Sequence, residues 1–117
     1  MHRSIEPLWW LLFAIGGTLA AFLTPIHILI GGIGLAAGWA RDAFAYDHIR
    51  GLVSHPLARL YLFALISLSL LHWAHRFRYT LYDGLQLKHL TALIAVLCYG
   101  AAVLGTAVSA YLLWTIP

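Results

Sequence analysis

Three long apolar stretches, separated by two mixed polar ones, set the pattern of this chain. The first follows Ser4, Glu6 and Pro7, a combination that starts helices: a side-chain cap, an acid at the positive end of the dipole, and a proline that suits the first turn. From Leu8 to Ile30 the run would reach about 34 Å as a helix, enough to cross a bilayer with some tilt. Pro25 predicts a kink in it. Residues 41–56 mix charge and apolar side chains and predict a loop, with a short surface helix around 44–53. Pro56 can open the second helix, Gly84 can close it, and a brief loop over 86–89 leads into the third. The predicted fold is an all-α membrane protein of three transmembrane helices with short loops, spanning roughly 8–33, 57–77 and 90–114. They form a single anchor domain over 1–117.

Composition sharpens this picture. Of 117 residues 62% are apolar and only 9% charged, against roughly a quarter charged in soluble domains. Three spans use nearly the whole length, so no catalytic residue is expected from this chain alone and no soluble module has room to fold. The stretch 8–33 is longer than a signal-peptide core, and Pro25 and His27 suit one poorly, so it is read as a retained span. Cys98, the single cysteine, falls within an apolar run and reads as a packing residue. The net charge of +3 is scattered along the chain, with no dense basic run to engage nucleic acid. Arg3, Arg76, Arg78 and Lys88 on one side face Arg41, Arg50 and Arg59 on the other. That is a narrow positive-inside vote for a cytoplasmic N-terminus.

Candidate chemistry gathers where the second span should leave the bilayer, in the segment HWAHRFRYTLYD (72–83). Polar groups at that depth are costly unless they meet a partner, a cavity or the interface. Helical spacing places His72, His75, Arg76 and Tyr79 on one stripe. Arg78, Tyr79 and Tyr82 read as interface anchors. On the first span Glu6, Trp10, Phe13 and Gly17 recur at spacings of four, three and four and share a face, whereas Trp9 reads as a lipid-facing belt residue. His27 reads as a satisfied packing histidine, and His48, His55 and His89 as loop residues. Three uses of the histidine stripe compete: haem ligation, a proton relay or transport site, and hydrogen bonding to a quinone headgroup. Two histidines on adjacent turns of one helix cannot hold both faces of a haem. A relay lacks intramembrane carboxylates. Donors such as imidazole, guanidinium, indole and phenol beside an apolar wall suit a quinone, whose two carbonyl oxygens accept hydrogen bonds.

The order of motifs, EPLWWLLFAIGG (6–17), Thr24-Pro25 late in the first span and His75-Arg76 after the second, resembles the fumarate reductase D-subunit family. Members are the smaller of two hydrophobic anchors of quinol:fumarate reductases in the bacterial cytoplasmic (inner) membrane. The resemblance implies a heterotetramer with a second hydrophobic anchor (the C-type anchor), an iron–sulfur subunit and a flavoprotein subunit. Menaquinol would be oxidised at a shared site, and electrons would pass through iron–sulfur clusters to FAD in the partner subunits, where fumarate becomes succinate in anaerobic respiration. By position it implies quinone-binding roles for Trp10, Phe13, His75 and Arg76. It implies no haem and no metal, with His72 the second-choice haem ligand should the chain instead serve as a haem b-binding anchor of a succinate dehydrogenase. A purely structural membrane interaction protein is the other alternative. After His75-Arg76 the segment continues FRYTLY, where some relatives are richer in histidine.

Overall fold

A computed structural model describes residues 4–116, so His2 and the Arg3 contribution to the charge vote lie outside the described residues. Helix α1 (Glu6–His27) begins with Pro7 in its first turn. Ser4 Oγ accepts from Glu6 N at 3.2 Å, although Ile5 is the residue at the helix boundary. Pro25 does not end α1. Just beyond it the winding widens to a π-helical segment, Ile28–Gly34. Gly38, at φ +85°, turns the chain after this helix. Trp39 then folds back so tightly that a Cβ at Gly34 would lie 2.6 Å from its ring.

The short helix α2 (Tyr46–Ser54) follows, and α3 (Pro56–Tyr79) continues through a widened turn, Thr80–Gly84. His55 is more than a loop residue, because its Nδ1 accepts from Leu57 N at 3.1 Å and caps α3. A 3₁₀ turn, Lys88–Leu90, leads into α4 (Thr91–Thr115). Three helical stretches are long and apolar enough to cross a membrane, Glu6–Gly34, Pro56–Gly84 and Lys88–Thr115, and no strand occurs among the described residues. Each is 28 or 29 residues long, about 43 Å, and exceeds the ~30 Å hydrocarbon core, so the ends reach the interfaces or the helices tilt.

The central helix is α3, which packs on α1 along one side and α4 along the other. Bare backbone sets the α1 contact. A Cβ at Gly16 would come within 2.3 Å of Leu68 O, and one at Gly17 would strike the His72 ring. Close approach through small residues is how membrane helices gain contact without a hydrophobic drive to associate. On the α4 side, Ala74 (0% exposed), Ile94, Cys98 and Ala102 form the packed seam, so Cys98 is a packing residue as its surroundings predict. Tyr82 joins them. It is buried at 7% exposure, and its hydroxyl donates to Thr91 O at 3.0 Å. The expected interface anchor is instead a strut between the end of α3 and the start of α4, because the helix continues past residue 79 and turns that ring inward.

The far ends are tied by Arg59, which donates from Nε to Val53 O (3.0 Å) and from Nη2 to Ile116 O (2.6 Å). His27 Nε2 lies 2.7 Å from Tyr61 Oη, the satisfied histidine its setting predicts. Outside these seams most large apolar side chains of α1 and α4 face outward, as they would toward lipid or partner helices.

Candidate functional site

Helix α3 carries its polar residues to the right depth by length alone. If Pro56 marks one interface, His75 lies roughly 30 Å further along the helix axis, at the opposite one. The widened turn then keeps residues 80–84 helical, and the chemistry stays on the helix face beside α1 and α4.

On α1, Phe13 stacks on His72 with ring centroids 4.2 Å apart and planes 16° apart. It also meets His75 edge-on at 4.7 Å. Trp10 lies edge-on to both Phe13 (5.9 Å) and His75 (5.7 Å). The four rings thus form one block across the α1–α3 seam, and Gly17 makes room for it where the His72 ring lies. His72 is held by a hydrogen bond of 2.9 Å to Phe13 O. A carbonyl only accepts, so His72 Nδ1 carries the proton.

Beside this block is a groove of about 600 Å³, lined by Glu6, Trp9, Trp10 and Phe13 from α1, Leu71 and His75 from α3, and Tyr99 and Val103 from α4. Its volume falls within the range of small-molecule sites, and its lining is the usual mixture of apolar walls and a few polar groups. Three of the four residues singled out from sequence, Trp10, Phe13 and His75, meet there. The fourth, Arg76, is exposed and is not among the lining residues.

Arg78, expected only to anchor the interface, is half-buried and engaged. Its Nη2 lies 3.4 Å from His75 Nδ1, and its guanidinium carbon lies 4.5 Å from the Tyr79 ring centroid and 5.2 Å from that of Tyr99. Tyr99 Oη also lies 3.1 Å from His75 Nδ1. The i, i+3 relation of His75 and Arg78 holds the physical reason: one turn brings the guanidinium back over the imidazole, while Arg76, next in sequence, is rotated about 100° away. The contribution of α4 was missed from sequence. The available signal was a phenol, Tyr99, in the otherwise apolar stretch 92–105, since a polar tip in a membrane helix needs a partner. Trp9, assigned to the lipid belt, also lines the groove.

Comparison with known proteins agrees with this architecture. The family model for the fumarate reductase D subunit matches residues 1–114. The chain belongs to the fumarate reductase D-subunit family. The fumarate reductase D subunit of Mycobacterium tuberculosis (strain H37Rv) is 42% identical over 114 residues, covering 97% of this chain and 90% of the relative. Those of Photobacterium profundum (37% identical; 92% of this chain and 88% of the relative) and Shewanella sp. (39%; 89% and 85%) are also similar. The family's members are membrane anchors of a fumarate reductase complex, and three span-length helices suit that multi-pass role. The family in general implies a quinone, and FAD and iron–sulfur clusters in partner subunits.

Proposed function

We propose that this chain attaches the flavoprotein and iron–sulfur subunits of a quinol:fumarate reductase to a bacterial inner membrane, pairs with a second anchor, and forms one wall of the menaquinol site. The N-terminus is assigned to the cytoplasm, which places the groove on the side of the soluble subunits. The observation that carries the reading is the groove itself: aromatic walls from α1 beside α3 and α4, with indole, imidazole and phenol groups among its lining. Aromatic faces suit a planar ring system, and donors at one end suit a quinone oxygen. Trp10 and Phe13 hold the ring, and His75 hydrogen-bonds an oxygen. Arg76, exposed beside His75, belongs to the rim that partner subunits would cover. Electrons leaving the quinol would travel through the partners' clusters and FAD to fumarate, so the task of this chain is binding and orientation.

The test uses the assembled complex. Trp10→Leu and His75→Leu should each cut quinol-linked turnover about tenfold or more, the scale of a lost hydrogen bond to a reacting group. Fumarate reduction by a soluble dye should stay at the wild-type rate. Unchanged quinol kinetics in assembled complexes refute the site.

One observation favours the second reading, haem ligation by His72. Metal-bound histidines commonly donate their other ring nitrogen to a carbonyl, as His72 does to Phe13 O. Against it, that ring is stacked face to face on Phe13 and wedged at Gly17, inside the helix seam. A b-type Soret band in the purified complex would decide for haem.

A further inference from the structure

The cluster behind the groove has a polarity that the groove alone does not show. Both polar contacts of His75 fall on one nitrogen, Nδ1: Arg78 Nη2 at 3.4 Å and Tyr99 Oη at 3.1 Å. A guanidinium can only donate and does not lose its proton in a protein. Nδ1 facing it must therefore present a lone pair, and the single proton of the neutral imidazole is left on Nε2. That nitrogen has no hydrogen-bond partner among the described residues, although His75 lines the groove. Arg78 is itself held among aromatic rings. Its charge has no carboxylate within ion-pair reach among the described residues, where Lys88–Asp83 is the ion pair formed. Instead its guanidinium meets the rings of Tyr79, Tyr99 and, at 6.0 Å, Tyr82. Cation–π contact of this kind replaces part of the lost hydration and fixes the plane of the group.

We propose that Arg78 is a positioning residue for the quinol reaction: by donating to Nδ1 together with Tyr99, it locks His75 in the Nε2–H form and makes it a hydrogen-bond donor to the quinone oxygen rather than a base. The inference rests on the quinol-site reading above and deepens it, because it assigns His75 to holding an oxygen and excludes it as first acceptor of the quinol proton. Losing Arg78 would leave Tyr99, which can donate or accept, and the imidazole could then carry its proton on Nδ1 and leave Nε2 bare. The bound oxygen would lose its donor for part of the time.

The experiment reads the KM for a short-chain naphthoquinol in the assembled complex, with dye-linked fumarate reduction as the assembly control. Arg78→Met should raise that KM about tenfold. His75→Gln keeps an N–H donor without tautomers, so its KM should rise less than that of His75→Leu. In that background Arg78→Met should change the KM by less than about twofold, since two residues acting through one another are non-additive. A wild-type KM in Arg78→Met overturns the proposal, and so does an equal rise in both backgrounds, which marks a merely structural arginine. His75→Gln behaving as badly as His75→Leu also overturns it, because a base would not tolerate the amide. A second measurement stands whether or not these variants assemble. Nitrogen-15 NMR of the histidine-labelled wild-type complex should show His75 protonated on Nε2 and bare on Nδ1, and a proton on Nδ1 refutes the lock. Should Trp10→Leu and His75→Leu keep wild-type quinol kinetics, the site reading itself fails. A loss there with no effect at Arg78 removes only this inference.

Discussion

Gly16→Ala tests whether the helix seam sets the groove. The added Cβ would lie 2.3 Å from Leu68 O and 3.0 Å from Leu68 C, where ordinary contact begins at 3.4 Å. The obstacle is backbone inside a continuous helix, so no side chain can swing aside. Helices α1 and α3 must separate by roughly 1 Å, and displacements of that size in a positioned site can cost up to ~10²-fold in rate. The overpacking itself costs ~1–3 kcal/mol. Trp10 and Phe13 ride on α1 and His75 on α3, so the separation falls directly on the ring block. Two readouts follow from one variant: the assembled complex should inactivate at a lower temperature, and quinol-linked turnover should drop more than tenfold while dye-linked turnover is retained. Gly51→Ala is the control. A Cβ there meets nothing within 4 Å, and alanine inside α2 should be neutral or stabilising by ~0.5–1 kcal/mol. Equal behaviour of the two alanine variants would refute the claim that the bare backbone of Gly16 sets the spacing.

Two smaller predictions concern the ties at the helix ends. Tyr82→Phe keeps the buried ring and removes the bond to Thr91 O, so it should destabilise by ~0.5–1.5 kcal/mol, read as a small fall in thermal midpoint. Arg59→Met removes both donations, to Val53 O and Ile116 O. Faster hydrogen exchange at the last turn of α4 and in α2 should follow, with the groove residues unaffected; unchanged exchange would show that the clamp contributes nothing.

Much of the architecture was legible from residue pattern. Runs of apolar residues long enough for a bilayer allow few alternatives to helices, because unpaired backbone groups are costly in hydrocarbon. The helical period also revealed that Glu6, Trp10, Phe13 and Gly17 share a face, and all but Gly17 line the groove while Gly17 seats the His72 ring. The cluster around His75 was only partly legible. Which arginine turns back onto it is a matter of about 200° of helix rotation between Arg76 and Arg78, and both lie near the same membrane depth. The i, i+3 spacing of His75 and Arg78 already favoured the second arginine; what no spacing within α3 contained was Tyr99 across the seam.

Residue pattern alone was enough for three helices of membrane-spanning length, for polar chemistry gathered at one end of the second, and for membership of the fumarate reductase D-subunit family. Local rules suffice for these: hydrophobic run length, helical period, and motif order. Packing between helices was needed to bring α4 into the site through Tyr99 and Val103 and to make Tyr82 a buried strut. The reason is that neighbours across helices depend on which faces the glycine and alanine seams bring together. That is settled by packing of residues distant in sequence, and no single span's periodicity contains it.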